Sequence, residues 1–76
     1  MPTTTDRKKQ RALDLSVVIP VYNEQDNIAP LSERLTKVCR GLKLHYEILF
    51  VDDGSTDGTL SAIQRAKSAD QNISAL

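Results

Sequence analysis

The clearest indication of the fold comes from residues 46–59, Tyr46-Glu-Ile-Leu-Phe-Val-Asp-Asp-Gly-Ser-Thr-Asp-Gly-Thr59. Its apolar run, residues 48–51, contains β-branched and aromatic side chains and stops at Asp52, a pattern that predicts a buried strand followed by a loop. In open parallel sheets, ligands bind beyond the carboxyl ends of the strands. Asp52 and Asp53 therefore stand where a ligand site is expected.

A similar unit precedes it. The run Leu15-Ser-Val-Val-Ile19 is rich in β-branched residues and predicts a first strand that stops at Pro20, because proline cannot donate to a strand ladder. Tyr22 follows directly in the next loop, where an aromatic ring can stack on a base. The two strands thus end in two polar loops of similar design.

A helix is predicted between the two strands. Asp26 or Asn27 is the candidate cap for its start, and Gly41 marks its end. Its apolar positions recur at steps of three and four and form one stripe: Ile28, Leu31, Leu35, Val38 and Leu42.

A second helix is predicted from about Gly58, with Asp57 or Ser55 as its cap, and residues 73–76 begin a third strand. The β-α-β-α-β order predicts an α/β fold, a Rossmann-like parallel sheet covered by helices on both faces. The chain stops within this pattern, so residues 15–76 are interpreted as the N-terminal part of a domain that is incomplete at its C-terminus. Residues 1–14 are polar and are expected to form a disordered lead-in.

Composition limits the partners and the compartment. The 76 residues carry ten basic and ten acidic side chains, and this balance does not favour nucleic acid. The single cysteine, Cys39, excludes an internal disulfide and is expected to be a buried, inert thiol. No apolar run approaches the roughly 20 residues of a membrane helix, so the chain as given is expected to be soluble. The single cysteine fits a reducing compartment such as the cytoplasm. The basic residues near the N-terminus predict a solvated tail or a weak contact with anionic lipid headgroups: Arg7, Lys8, Lys9 and Arg11.

The loops lack the glycine patterns that cradle phosphates, G-x-G-x-x-G and G-x-x-x-x-G-K-[ST]. They offer carboxylates, which suit ribose hydroxyls, base amino groups or a divalent cation. A calcium loop starting at Asp53 is excluded because Gln64 stands where a bidentate glutamate is required. An acidic pair after a strand also occurs in bacterial receiver domains, but the unit from Ser16 to Glu24 would be surplus there.

Taken together, Ser16-Val-Val-Ile-Pro-Val-Tyr-Asn-Glu24 and Glu47-Ile-Leu-Phe-Val-Asp-Asp-Gly-Ser-Thr-Asp-Gly-Thr59 closely resemble the N-terminus of family-two glycosyltransferases with the GT-A fold. The similarity is strongest to the branch that loads sugars onto polyprenyl or dolichyl phosphate, as dolichol-phosphate mannosyltransferases do in glycan and cell-wall biosynthesis. The resemblance covers about residues 15–66. It implies a hexosyltransferase that uses a UDP- or GDP-sugar.

The resemblance also implies roles for individual residues. The nucleotide-sugar pocket would be lined by Pro20, Tyr22, Glu24, Val51 and Asp53, with Tyr22 against the base or ribose and Asp53 accepting hydrogen bonds from either. The second loop would be held in shape by Asp52, Gly54, Ser55 and Asp57, and Asp52 is expected to bond backbone amides near the start of the second helix.

What this chain lacks matters equally. In this family the ligands of Mg or Mn, the catalytic base and the acceptor site lie beyond the third strand. The resemblance therefore implies no catalytic or metal-binding residue in these 76 residues, and the chain alone is predicted to be inactive. The full-length protein would act at the cytoplasmic face of the membrane. Two alternatives stay open, a non-catalytic nucleotide-binding remnant of the same fold and a glycosyltransferase that makes other glycans.

Overall fold

The computed structural model describes residues 12–76, in which three parallel strands alternate with two helices. The strands are β1 (Leu15–Val21), β2 (Tyr46–Asp52) and β3 (Ile73–Ala75), and the helices are α1 (Gln25–Gly41) and α2 (Thr59–Ala69). The sheet order is β1-β2-β3, and both pairings are parallel. The predicted α/β class and the β-α-β-α-β order are confirmed.

β1 continues through Pro20 to Val21, so the prediction that the strand stops at the proline is wrong. β1 lies at one edge of the sheet, and an edge strand tolerates proline where the missing amide faces away from its neighbour. The ladder extends beyond β2 itself, because the amide of Asp53 donates to the carbonyl of Val21 at 3.0 Å. The first loop therefore starts at Tyr22.

Both helices lie on one face of the described sheet, so within residues 12–76 no helix covers the opposite face. Right-handed crossovers put successive helices on the same side when the strand order runs in one direction, as β1-β2-β3 does. On β2 the helix-facing residues Tyr46, Ile48 and Phe50 are buried, whereas Leu49 and Val51 on the opposite face keep part of their exposure. β2 carries apolar residues on both faces, which is why its sequence predicts a strand with helices packed on both sides.

The core lies between β2 and the two helices. Burying an isoleucine or phenylalanine side chain stabilises a fold by about 1.5–3 kcal/mol. The buried apolar side chains come from both helices and from β2 and β3, so the core holds the end of β2 in a defined position relative to both helices. The largest fully buried apolar side chains are Phe50, Ile28, Ile48, Ile63 and Ile73.

The buried side of α1 differs from the predicted stripe. Val38 and Leu42 are 58% and 64% exposed, whereas Ser32, Thr36 and Cys39 are buried. Ile28 is buried as predicted, and Cys39 is the buried thiol that the sequence predicted. Small polar residues lie at this contact because α1 packs beside α2 as well as on the sheet, and short side chains let two helices approach closely.

Asp70 fastens the C-terminal end of α2 to α1 and β2. It is 8% exposed and accepts hydrogen bonds from the Tyr46 hydroxyl, from Arg40 Nη2 at 3.1 Å and from the Asn72 amide at 2.9 Å. Burial by itself raises the pKa of Asp70. The hydrogen bonds from Tyr46 and Asn72, together with the charge of Arg40, outweigh burial and hold the pKa below its ordinary value.

The start of the described chain is attached to the loop before β2. His45 is half-buried, its Nδ1 lies 2.8 Å from the Ala12 carbonyl oxygen, and its backbone amide donates to the Asp14 carboxylate at 2.8 Å. Of the predicted lead-in, residues 1–11 with the basic cluster lie outside the described residues, whereas residues 12–14 are held by these hydrogen bonds and are not disordered. Within residues 12–76, neither helix has the length and apolar character needed to cross a bilayer.

Candidate functional site

Two loops meet at the carboxyl edge of the sheet. The first loop, residues 22–24, follows β1, and the second loop, residues 53–58, follows β2. The register puts Pro20 beside Val51 and Val21 beside Asp52. The ends of both strands therefore lie level, and the two loops leave the sheet side by side.

Pro20 and Val51 form a small apolar shelf on the face of the sheet opposite the helices. Tyr22 and Asp53 follow two residues after Pro20 and Val51, just beyond the ends of the strands. Tyr22 is 56% exposed, and Asp53 is also exposed. An apolar surface with an aromatic ring and a carboxylate at its rim offers a stacking partner and a hydrogen-bond acceptor. The structure thus brings these four predicted ligand residues to one edge.

The three aspartates of this segment have different surroundings. Asp52 Oδ1 accepts hydrogen bonds from the Ser55 amide at 3.0 Å and from the Ser55 hydroxyl. Asp57 Oδ1 accepts from the Thr59 amide at 2.9 Å and from the Thr59 hydroxyl, which holds the pKa of Asp57 below its usual range. Among residues 12–76, the Asp53 carboxylate has no hydrogen-bond partner. It is the carboxylate of this set that can accept from a ligand.

The expected partner of Asp52 is corrected in one respect. Its carboxylate bonds the amide three residues ahead, within the turn, and Asp57 accepts the first amide of α2. Gly54 gives the turn its direction, because its φ of +79° lies in the region that residues with a Cβ rarely adopt. Of the three aspartates, Asp52 and Asp57 therefore shape the second loop, and Asp53 stays open.

Asn23 joins the first loop to the second. Its backbone amide donates to Ser55 Oγ at 2.9 Å, and its side-chain Oδ1 accepts from the Thr56 amide at 2.8 Å. The φ of Asn23 is +50°, a left-handed conformation that asparagine tolerates better than most residues. Asn23 thus supplies both the left-handed backbone conformation of the first loop and a bridge of two hydrogen bonds to the second loop.

The two helix starts cap each other through these loops. The Glu24 amide donates to Thr59 Oγ1 at 2.8 Å, and the Gln25 amide donates to Asp57 Oδ2 at 3.4 Å. In return, the Gly58 amide donates to Gln25 Oε1 at 2.6 Å. First-turn amides have no partner inside their own helix, so each loop supplies acceptors for the helix of the other.

The predicted cap of α1, Asp26 or Asn27, is wrong. Glu24 occupies the cap position, and no side chain caps α1 in the usual local way. The Asn27 side chain instead donates to the Glu24 carboxylate at 3.2 Å. A local sequence pattern cannot predict this arrangement, because the acceptors come from residues more than thirty positions further along the chain.

Sequence reasoning also missed the residues that join the loops. Polar side chains next to each strand end were the available signal, but their partners depend on the register between β1 and β2. The missed residues are Asn23, Gln25, Thr56 and Thr59.

Within the described part of the chain, no group of three or more histidine, cysteine, aspartate or glutamate side chains could hold a metal ion. A groove of about 340 Å³ lies between α1 and α2 and reaches Gln25 at the start of α1. Ser32, Thr36 and Arg40 line one side of it, and Ala62 and Arg65 line the other.

Known proteins are similar to this chain in sequence and in fold. The family model described as "Glycosyl transferase family 2" matches residues 16–76. An undecaprenyl-phosphate 4-deoxy-4-formamido-L-arabinose transferase from Proteus mirabilis (strain HI4320) is 43% identical over 58 residues, which are 76% of this chain and 18% of that protein. The mannosyltransferase PcManGT from Pyrobaculum calidifontis, solved in complex with GDP-Man and Mn²⁺, is 26% identical with a TM-score of 0.57.

The solved structure matches 93% of this chain but only 23% of its own length. The chain therefore spans about a fifth of the length of the relatives it matches. Within that span the resemblance noted in the two loop motifs is confirmed, as is a GT-A type of fold. This chain belongs to glycosyl transferase family 2.

Proposed function

We propose that this chain forms the nucleotide-binding part of the donor site of a glycosyltransferase. The observation that carries the proposal is the pairing of an exposed Tyr22 with an unpartnered Asp53 beside the shelf of Pro20 and Val51. Tyr22 stacks on the base or ribose of a UDP- or GDP-sugar, and Asp53 accepts hydrogen bonds from its amino or hydroxyl groups. Glu24 completes the pocket from the first loop.

The donor class is supported by the ligand of the solved relative, which is GDP-Man. The acceptor class is supported by the curated relative, which is an undecaprenyl-phosphate transferase. We therefore propose polyprenyl phosphate as the acceptor in the full-length protein, which would act at the cytoplasmic face of the membrane. In that reaction an acceptor phosphate oxygen forms a bond to the anomeric carbon, and the bond from that carbon to the diphosphate breaks, so that the nucleoside diphosphate leaves with the electron pair.

The acidic edge sets a further condition. Asp53, Glu24 and Asp26 would repel an unshielded diphosphate. A divalent ion such as Mg or Mn offsets that charge when bound, and Mn²⁺ accompanies GDP-Man in the solved relative. Among residues 12–76, no group of three or more histidine, cysteine, aspartate or glutamate side chains could hold such an ion. We propose that its ligands belong to the full-length enzyme outside this chain, and that the 76-residue chain alone gives no turnover.

Calorimetric titration of the folded chain with UDP and GDP, with and without Mn²⁺, tests the donor-site proposal. We expect saturable binding that is lost in Tyr22→Ala and in Asp53→Ala. Val38→Ala is the matched control, because Val38 is 58% exposed on α1 and distant from the loops. A chain that is folded by circular dichroism but binds neither nucleotide would contradict the proposal, and robust sugar transfer by the purified chain would contradict its claim of inactivity.

A further inference from the structure

Asn23 lies between two proposed ligand residues, Tyr22 and Glu24, but the oxygen of its side chain and its backbone amide already have hydrogen-bond partners within the chain. Its Oδ1 accepts the Thr56 amide at 2.8 Å, and its backbone amide donates to Ser55 Oγ at 2.9 Å. Neither group is free to bind a ligand. Both contacts reach the second loop, which begins with Asp53.

Other contacts join the two loops on either side of Asn23. The β1–β2 pairing ends at Val21 and Asp52, with one further bond from the Asp53 amide. The cross-caps at Glu24 and Gln25 hold the helix starts, on the other side of the first loop. Asn23 is the connection between these two fixed regions, at the tip where Tyr22 and Asp53 are exposed.

Backbone conformation makes the same residue difficult to replace. Asn23 has a φ of +50°, and glycine adopts this value freely while aspartate tolerates it. Glycine keeps the backbone conformation but removes the acceptor, and aspartate keeps an acceptor in the same position. The two substitutions therefore separate the effect of the bridge from the effect of the turn.

We propose that Asn23 is a positioning residue for nucleotide binding, whose bridge to Ser55 and Thr56 holds Tyr22 and Asp53 at the spacing that the nucleotide requires. The inference rests on the proposed function of the two loops. A site whose parts are held before the ligand arrives binds more tightly, because binding does not have to order them. Asn23 itself makes no contact with the nucleotide in this account.

The test is a nucleotide titration of Asn23→Gly in the 76-residue chain, using whichever of GDP or UDP binds the wild type. We expect affinity to fall about fivefold to tenfold, which corresponds to the loss of one net hydrogen bond. Val38→Ala is the matched control, because Val38 is 58% exposed on α1 and takes no part in the contacts between the loops, and its affinity is expected to equal that of the wild type.

Two further measurements separate positioning from general stability. Hydrogen exchange without nucleotide should show the Thr56 amide losing protection in Asn23→Gly and regaining it in Asn23→Asp, with the amides of α1 and α2 unchanged. Asp70→Asn, which weakens a remote cluster, should lower the melting temperature but leave nucleotide affinity as it is. A merely structural role for Asn23 would instead make affinity follow melting temperature across both variants.

The outcomes are distinct. A wild-type chain that binds nucleotide, with an Asn23→Gly variant of equal affinity or with unchanged Thr56 exchange, overturns this inference and leaves the proposed function intact. A folded wild-type chain that binds neither nucleotide overturns both.

Discussion

The backbone amide of Gly58 donates a hydrogen bond to the side-chain oxygen of Gln25, with 2.6 Å between the nitrogen and Oε1. A Cβ atom at position 58 would lie 2.6 Å from that same oxygen. Since real Cβ atoms do not approach an oxygen so closely, a side chain at position 58 must displace Gln25. The contact between the two helix starts therefore requires a residue without a side chain at position 58.

Gly58→Ala should therefore destabilise the chain by about 0.5–1.5 kcal/mol, because it moves the flexible Gln25 side chain away and removes its hydrogen bond to the amide. In a Gln25→Ala background the same substitution should cost much less, since the clash is gone. Chemical denaturation of the four chains gives this coupling as a double-mutant cycle. Additive effects of the two substitutions would show that the contact does not contribute to stability.

Ser32→Ala should leave stability unchanged or raise it by up to about 1 kcal/mol. Ser32 is 4% exposed, and its Oγ has no hydrogen-bond partner among the described residues. Removing a buried, unpaired hydroxyl relieves its desolvation cost. Thr36→Ala is the comparison on the same helix face, because the Thr36 hydroxyl donates to the Glu33 carbonyl at 3.2 Å. A clear loss of stability in Ser32→Ala, measured by thermal unfolding, would reveal a partner for this hydroxyl.

Low pH should reduce the free energy of unfolding of this chain through protonation of Asp70. Its folded-state pKa lies below the ordinary value of 3.8, so the folded state favours the ionised carboxylate. The stabilisation is complete above the unfolded pKa and is lost as the pH falls through the folded pKa. Unfolding free energies between about pH 5 and pH 2 should decline less steeply in Asp70→Asn than in the wild type. Identical slopes would assign acid unfolding to other carboxylates.

Asp52 and Asp53 are adjacent, yet their substitutions should have opposite signatures. Asp52→Asn weakens the bonds to Ser55 and should lower stability by roughly 1 kcal/mol. Asp53→Asn should change stability by less than about 0.5 kcal/mol, as is usual for an exposed side chain without partners, while it reduces nucleotide affinity. Paired denaturation and titration of both variants check this. A large stability loss in Asp53→Asn with unchanged affinity would reverse the two roles.

The sequence was sufficient for the strands and helices, because the apolar run before Asp52 and the helical spacing from Ile28 to Leu35 depend on local periodicity. It was not sufficient for the exposed Val38 and Leu42, because the rotation of α1 is set by its contact with α2. Similarly, the edge position of β1, which allows Pro20 inside a strand, follows from strand order and not from the run itself.

The candidate site divides in the same way. Tyr22 and Asp53 could be predicted because each follows a strand at the carboxyl edge of the sheet. The bridges made by Asn23 and Gln25 could not be predicted, since their partners lie 33 positions further along the chain and meet them only through the sheet register. Side chains that hold the site together are thus harder to predict from sequence than those that face a ligand.

The nucleotide can be located on the chain directly by ¹H–¹⁵N correlation spectra recorded during titration with GDP and UDP. We expect a well-dispersed spectrum in which the shifts concentrate on the amides of Tyr22, Glu24, Asp53 and Gly54. Shifts concentrated on Ser32, Thr36 and Arg65 in the groove between the helices, or none in a folded chain, would contradict a donor site at the carboxyl edge of the sheet.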